Sequence, residues 1–303
     1  MSEKVVSPAA ALSDAELSDL DALVERALAI GDESSLRVLG YGEISLVLGW
    51  PVDDPAFACK LLPPFAHRSR FDAYRDTLDD YLRALEAAGI DPVATELRPV
   101  ERGDGTVAGY AVQRVLPPAG LAPAVLADAD PDRGHPLVEA VVELAAATIT
   151  PRVGLDAQLS NWWWEDGTLT YIDVTTPMLW SADGRPRLDV DLLVRPMPWA
   201  MRGPIKRLLA PRILDGYRDL RGVYLDQCGN LIKERLDAWL PRFLAAANER
   251  LQRPISADEV RRYYRSDARL WGALLAIRRL DRAWHLRVRR RPYPFLLPQR
   301  IER

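Results

Sequence analysis

The chain has 303 residues and a formal net charge of −3, and 48% of its residues are hydrophobic. This length suits one large domain or two modest ones, and the composition is ordinary for a globular protein. The two cysteines, Cys59 and Cys228, exclude a disulfide framework, and no apolar run is long enough to span a bilayer. Since the start also lacks a secretory signal pattern, we expect a cytoplasmic protein with no membrane segment and no membrane partner.

Charge is distributed unevenly along the chain. Residues 1–35 carry eight acidic side chains against two basic ones, whereas residues 261–303 carry thirteen arginines against three acids. A basic end of this kind can attract an anionic partner. The more common alternative is a solvated helix face whose arginines pair with acids elsewhere.

The first predicted element is a helix over residues 12–30. Ser13 is a suitable N-cap, and Glu16 three residues later completes a capping box. An apolar stripe follows at helical spacing. We interpret residues 1–30 as a helical extension in front of the main fold.

Short strands and one helix come next. The stretch LRVLGYGEISLVLGWP (36–51) predicts a strand, a glycine turn and a second strand, and AFACKLLP (56–63) predicts a third. Residues 70–90 predict a helix that ends near Gly89. The stretch ATELRPVERGDGTVAGYAVQRVLP (94–117) predicts a hairpin that turns at GDG.

The rest of the chain is mostly helical in pattern. HPLVEAVVELAAATI (135–149) predicts a buried helix, and NWWWEDGTLTYIDV (161–174) predicts a second hairpin. Helical patterns broken by prolines continue from about residue 186. The order of elements predicts an α+β fold with a small β-rich half that contains one helix, followed by a larger helical half.

Lys60 lies among apolar residues in the third predicted strand. Phe57 and Cys59 share one face of this strand, so the lysine points to the other face. An ammonium group in an apolar strand needs an anionic partner, because burying it unpaired is costly. Asp79 or Glu86, on the flank of the following helix, could reach it. The alternative is a lysine whose head simply reaches water.

Asp156, Asn161 and Asp173 surround the tryptophan-rich hairpin. A hairpin brings the start of its first strand close to the end of its second, so Asn161 and Asp173 are predicted neighbours. An amide oxygen and a carboxylate suit Mg²⁺, which takes further ligands from water and phosphate. Asp156 would then lie nearby as a candidate base. The alternative is that all three residues only cap turns.

These motifs together resemble the protein-kinase-like superfamily, closest in style to its small-molecule branch of aminoglycoside and choline phosphotransferases. GYGEIS followed by Val47 resembles the glycine-rich loop, ACK resembles the strand with the phosphate-binding lysine, and VQRVLP resembles the adenine-contacting hinge. LDAQLSN matches the spacing of the catalytic loop, and YIDV matches the strand that ends in the metal-binding aspartate, Asp173.

The resemblance implies a bilobal protein-kinase-like fold, with a β-rich N-lobe at residues 31–117 and a helical C-lobe at residues 118–303. It also implies an ATP- and Mg²⁺-dependent phosphotransferase that acts on a hydroxyl group of a small molecule or a peptide. The basic end of the chain weakly favours an anionic acceptor.

Residue roles follow from the same resemblance. Lys60 would hold the α and β phosphates, and Asp156 would take the proton of the acceptor hydroxyl. Asn161 and Asp173 would hold Mg²⁺. The other implied nucleotide-binding residues are Gly40, Gly42, Ser45 and Val47 in the loop, Asp79 or Glu86 beside the lysine, and Gln113 and Val115 in the hinge.

Three positions depart from the family's pattern. Ser45 replaces the third glycine of the loop, Leu155 precedes the catalytic aspartate, and Thr175 stands where the glycine after the metal-binding aspartate is usual. These departures support an alternative, a catalytically silent kinase-like protein that binds a nucleotide or a partner in a biosynthetic or regulatory pathway. Transfer of a nucleotidyl group is a further alternative.

The remaining candidates carry weaker signals. The three histidines lack metal-ligand spacing. The tryptophans at 162–164 are typical of a core, although Trp162 or Trp164 could instead contact adenine or the substrate. The C-terminal arginines and aromatics match no nucleic-acid-binding motif, so we do not expect a nucleic-acid partner.

Overall fold

The structure is a computed structural model, and it describes residues 12–41, 45–195, 197–290 and 293. The strands are β1 (Val38–Tyr41), β2 (Leu46–Trp50), β3 (Phe57–Leu61), β4 (Asp91–Pro92), β5 (Glu96–Glu101), β6 (Val107–Arg114), β7 (Trp162–Glu165) and β8 (Thr168–Tyr171). The helices are α1 (Asp14–Ile30), α2 (Arg68–Ala87), α3 (Ala122–Asp128), α4 (Pro136–Thr148), α5 (Val190–Val194), α6 (Trp199–Pro204), α7 (Ala210–Gly216), α8 (Leu220–Lys233), α9 (Leu240–Asn248) and α10 (Ala257–Arg287).

The N-terminal part is built on a five-stranded antiparallel sheet with the order β1-β2-β3-β6-β5. Helix α1 covers one face of this sheet, and its apolar stripe joins a core with residues of β2, β3 and β6. The predicted capping box is confirmed, because the Ser13 hydroxyl accepts from the N–H of Glu16 and the Glu16 carboxylate accepts from the N–H of Ser13. The buried Asp21 accepts hydrogen bonds from Arg102 and Tyr110, which fixes α1 to the sheet.

Helix α2 lies on the other side of the sheet, and its buried face joins the larger core of the molecule. It ends as the sequence predicts, with Gly89 at a φ of 90° that side chains rarely adopt. The short strand β4 then pairs in parallel with β8, a contact that sequence reasoning missed. This pairing ties the end of α2 directly to the tryptophan-rich hairpin.

The C-terminal part is the hairpin β7–β8 followed by helices. Trp162 pairs with Tyr171, and the turn places Asp166 at a φ of 48°. Strand β8 ends at Tyr171, two residues earlier than predicted, so Asp173 lies in the segment that follows the strand.

The last helix, α10, spans a long distance across the molecule. Near its start the Tyr263 hydroxyl donates to Asp226 in α8, and near its end Arg282 donates to the carbonyl of Gly31, which caps α1. The helix therefore connects the helical part to the first helix of the chain.

The predicted α+β architecture is confirmed, with a β-rich N-terminal lobe that contains α2 and a helical C-terminal lobe. The boundaries at residues 30 and 117 stay predictions. Among the described residues, no helix combines the length and apolar character that crossing a bilayer requires.

Candidate active site

Lys60 lies in the middle of the five-stranded sheet, in register with Val47 of β2. Phe57 and Cys59 point into the core beneath α1, so the alternation of side chains along β3 turns the lysine toward the opposite face. Its Nζ donates to Oδ1 of Asp173 at 2.6 Å. The lysine side chain is only 16% exposed, so this ion pair is partly shielded from water.

The helix after Lys60 does not supply the anionic partner that the sequence predicted. Asp79 and Glu86 are both exposed on α2, and the lysine contacts Asp173 instead. The predicted pairing with either acid is therefore wrong. The reason is the rotation of α2, which packs its apolar and aromatic face inward and leaves these acids in water.

Two tyrosines on the inner face of α2 contact the loops that flank the hairpin. The Tyr74 hydroxyl donates to the carbonyl of Thr175 at 2.5 Å, and the Tyr81 hydroxyl donates to the carbonyl of Gly154 at 3.1 Å. Each acceptor lies two residues from one of the two candidate aspartates. Sequence reasoning missed this role, because a tyrosine in an apolar helical stripe carries only the signal of a core residue.

The hairpin brings Asn161 and Asp173 to the same end, as predicted. The N–H of Ile172 donates to the backbone carbonyl of Asn161 at 2.8 Å, which places the two candidate metal ligands on adjacent chain segments. The Asn161 side chain donates to the backbone carbonyl of Asp156 at 3.1 Å, and the Tyr171 hydroxyl donates to the same carbonyl at 3.2 Å. The loop of Asp156 is therefore fastened to the base of the hairpin.

Asp173 is held in its charged form. Burial alone would raise the pKa of this carboxyl group, but the charge of Lys60 and the hydrogen bonds from Lys60 and Thr175 together outweigh burial. The pKa is therefore lowered. The Thr175 hydroxyl donates to Oδ1 at 3.1 Å, so this threonine takes part in fixing the carboxylate.

Asp156 has the opposite electrostatic environment. Burial is the largest cause, and the charges of Asp226 and Asp173 come next; together they raise its pKa to about 7. The N–H of Gln158 donates to its Oδ1 at 3.2 Å and opposes the rise only in part. A carboxyl group that titrates near neutral pH is suited to proton transfer.

Asp226 on α8 is an acidic neighbour that sequence reasoning missed. Its carboxylate accepts from the Tyr263 hydroxyl at 2.8 Å and from the Asn230 amide at 3.1 Å. Burial, and then the charge of Asp267, raise its pKa to about 6. A single acid in a helix has no motif around it, so only the packing of α8 reveals its influence on Asp156.

Asn161 and Asp173 are the described residues that could offer oxygen ligands to a metal ion. The hydrogen bond of the Asn161 amide nitrogen leaves its amide oxygen as the atom that can ligate a cation, and Asp173 offers a carboxylate. No group of three or more His, Cys, Asp or Glu side chains suited to a metal occurs in the part of the chain that the structure describes. An ion here would take its other ligands from water and phosphate, as Mg²⁺ does.

The predicted glycine-rich loop is described only in part. Gly40 lies near the C-terminal end of β1, where an added Cβ would meet no atom within 4 Å. Ser45 precedes β2, and Val47 lies beside Lys60 in the sheet. Gly42 lies outside the described residues.

The predicted hinge makes internal hydrogen bonds. The Gln113 amide donates to the Thr95 hydroxyl at 2.9 Å and to the carbonyl of Ile172 at 3.1 Å, which joins the sheet to the segment before the second aspartate. The N–H of Val115 donates to the carbonyl of Ala56 at 3.0 Å. This bond extends the pairing of β3 with β6, and the predicted backbone contact of the hinge with adenine stays a prediction.

The three tryptophans fasten the hairpin to its surroundings. Trp162 is fully buried, which makes it a core residue and excludes it as a nucleotide contact. Nε1 of Trp163 donates to the carbonyl of Pro117 at 3.0 Å, and the Trp164 ring packs edge-on against His135 with 5.4 Å between centroids. Since His135 caps α4, the aromatic cluster links the hairpin to both the hinge and the helical lobe.

Comparison with known proteins gives one family match. The model described as "Family of unknown function (DUF6206)" matches residues 19–282. No curated protein matches the chain. Among solved structures, the chain is similar to WaaP in complex with acyl carrier protein, with 17% sequence identity, a TM-score of 0.34, and coverage of 74% of this chain and 92% of that chain. Similarity at this level does not extend to function.

Proposed function

The chain belongs to the DUF6206 family, which is described as a family of unknown function. We propose that it is an ATP- and Mg²⁺-dependent phosphotransferase that modifies a hydroxyl group of a small molecule or a peptide. The observation that carries this proposal is the 2.6 Å contact between Lys60 and Asp173. A strand-borne ammonium beside a carboxylate and an amide oxygen is a set of groups that suits the phosphates and the metal of a nucleotide.

In the proposed complex, Lys60 binds the phosphates, while Asn161 and Asp173 hold the metal. The ion would supply charge neutralisation at the phosphate that is transferred. Without a nucleotide, Lys60 and Asp173 neutralise each other. With one, each gains a partner of opposite charge in the ligand, so neither group is left buried and unpaired.

Asp156 is the proposed base at the acceptor. Its pKa of about 7 keeps a substantial fraction of the carboxylate ionised at neutral pH while still allowing it to accept a proton. Its position beside the hairpin would let it orient the acceptor hydroxyl toward the phosphate. Positioning of this kind supplies much of the rate in phosphoryl transfer.

A catalytically silent nucleotide- or partner-binding protein is the second candidate. The departures from the family's pattern at Ser45, Leu155 and Thr175 support it. The exposed positions of Asp79 and Glu86 also support the silent candidate, because neither acid on α2 is a partner of Lys60.

Thermal unfolding tests the proposal, with ATP and Mg²⁺ added together and separately. A ligand at about a hundred times its Kd stabilises the native state by about 2.7 kcal/mol, so we expect ATP with Mg²⁺ to raise the Tm by roughly 4 °C in a chain of this size. Lys60→Met and Asp173→Asn should each lose most of that shift. Turnover is then followed as release of ADP, with release of pyrophosphate marking nucleotidyl transfer instead.

The chain offers a matched control for both variants. Lys206 and Asp191 form an ion pair of the same 2.6 Å length on the surface. Lys206→Met and Asp191→Asn should therefore keep the full shift. No shift in the wild-type protein would contradict nucleotide binding, whereas a shift without turnover would favour the silent candidate.

A further inference from the structure

The outer face of α10 exposes large apolar side chains near its C-terminal end. Leu280 is 71% exposed, Trp284 is 53% exposed and Val288, just after the helix, is 56% exposed. Their spacing of four residues places them on one side, opposite the buried Leu274 and Arg278. Soluble proteins rarely leave a contiguous apolar strip of this kind without a partner.

Arginines surround this apolar strip. Residues 268–290 contain seven arginines and one acid, Asp281. That acid points inward, with a side chain only 14% exposed, 3.5 Å from the His285 ring. Arg279 and Arg287 are exposed beside the strip. The outer surface of this end of α10 is therefore both apolar and positively charged.

The inner side of this end of α10 differs from the outer side. There Asp281, His285 and Arg289 line a cavity of about 420 Å³ together with Trp199 and Arg202 of α6. This cavity contains a carboxylate and faces away from the exposed strip, so it is not part of the outer surface. We call Arg279, Leu280, Trp284, Arg287 and Val288 the α10 surface.

We propose that the α10 surface docks on a membrane that contains anionic phospholipids. Tryptophan and leucine side chains enter the boundary between head groups and acyl chains, while arginines pair with head-group phosphates. The helix would lie in the plane of the membrane, with the α10 surface against the head groups. A lipid surface is the partner that satisfies the apolar strip and the positive charge together.

Charge and polarity argue against other occupants. A second copy of the chain in a two-fold contact would place this arginine-rich surface against itself, which is repulsive. A nucleic acid would pair with the arginines and could stack on the tryptophans, but would leave Leu280 and Val288 without an apolar partner. An acidic protein that carries its own apolar strip is the remaining competitor, and the test includes it.

Vesicle flotation of the full chain tests the proposal. The protein should float with vesicles of phosphatidylcholine and phosphatidylserine, stay unbound with phosphatidylcholine alone, and dissociate as salt is added. The double variant Arg279→Gln, Arg287→Gln should bind about thirtyfold more weakly, from a factor of about five for each arginine near an anionic surface. Leu280→Gln with Trp284→Gln should weaken binding by about tenfold at unchanged charge.

A matched control removes the same charge from the far end of the same helix. Arg261 and Arg262 are exposed there, and Arg261→Gln with Arg262→Gln should leave flotation unchanged. Equal weakening in this control would overturn the proposal in favour of non-specific charge attraction. The proposal would also be overturned if the wild-type protein did not bind vesicles but formed a dimer that Leu280→Gln abolishes. Binding to polyglutamate or RNA without any binding to vesicles would overturn it as well. Asp173→Asn should float like the wild type, which separates this inference from the proposed activity.

Discussion

The segments at the two ends of the tryptophan-rich hairpin each hold one aspartate in an opposite electrostatic state. After the hairpin, the ammonium of Lys60 keeps the pKa of Asp173 below its ordinary value. Before the hairpin, Asp156 faces the charges of Asp226 and Asp173, and its pKa rises to about 7. Burial opposes the charged form at both positions, so the sign of the neighbouring charge decides the difference.

This contrast separates two chemical tasks within one short stretch of chain. A carboxylate that remains ionised is suited to hold a cation, and a carboxyl group that titrates near neutral pH is suited to exchange protons. The hairpin holds the two groups close together, and α2 contacts both flanking loops through Tyr74 and Tyr81. The two aspartates therefore differ in electrostatic state, and the proposed function uses this difference for two roles.

Neutralising each aspartate in turn tests this division most directly. Asp156→Asn keeps the shape of the side chain but removes the base, so we expect turnover to fall by about 10²- to 10⁴-fold with unchanged affinity for ATP and Mg²⁺. Asp173→Asn should weaken nucleotide binding as well, because it removes a metal ligand and leaves Lys60 unpaired. Steady-state turnover and nucleotide titrations of the two variants, measured side by side, check the difference.

Asp166→Asn is the control for these two variants. It makes the same chemical change at the exposed turn of the hairpin, where the backbone φ of 48° suits asparagine. Turnover and affinity should both remain at the wild-type level. If Asp156→Asn and Asp173→Asn lose nucleotide affinity equally, the two aspartates do not have separate roles.

Sequence patterns could predict much of this arrangement because it rests on local geometry. Strand alternation gives the direction of Lys60, and hairpin pairing gives the meeting of Asn161 with the segment of Asp173. Turn residues such as Gly89 mark the end of α2. Each of these inferences needs only neighbours within one or two adjacent elements.

The other contacts of the site depend on how the helices pack. Local sequence patterns do not encode that packing. The rotation of α2 decides whether acids or tyrosines face the loops, and one residue along a helix changes the direction by about 100°. Asp79 and Glu86 were therefore predicted on the wrong side. Asp226 reaches the surroundings of Asp156 only because α8 packs beneath the loop, and no motif surrounds it.

The charge on Asp226 offers a test through the free energy of unfolding. Its pKa in the folded protein is about 6, above the ordinary value of 3.8, so folding favours the protonated form. That stabilisation is complete below the ordinary value and is lost as the pH rises through about 6. Asp226→Asn imitates the protonated form, so its gain in stability over the wild type should be about 2 kcal/mol larger at about pH 8 than at about pH 4.5.

Urea unfolding at the two pH values measures this gain. Asp219→Asn is the control, since Asp219 caps the start of the same helix and accepts from backbone N–H groups there. It should destabilise the protein at the higher pH rather than stabilise it, because asparagine is a good cap but lacks the charge that favours a helix N-terminus. A gain for Asp226→Asn that is the same at both pH values would mean that its ionisation does not oppose folding.

The smallest change concerns the two tyrosine hydroxyls that connect α2 to the two loops. Tyr74→Phe and Tyr81→Phe each remove one buried hydrogen bond to a backbone carbonyl, and each should cost about 1 kcal/mol of unfolding free energy. Tyr81→Phe loosens the loop of the proposed base, so we expect turnover to fall severalfold with unchanged nucleotide affinity. Tyr74→Phe loosens the segment of the proposed metal ligand, so nucleotide affinity should fall instead.

Tyr224→Phe is the control, because it removes a similar buried hydrogen bond to the carbonyl of Val142, between helices of the C-terminal lobe. If it changes turnover as much as Tyr81→Phe does, the tyrosines of α2 act through overall stability and not through the loops.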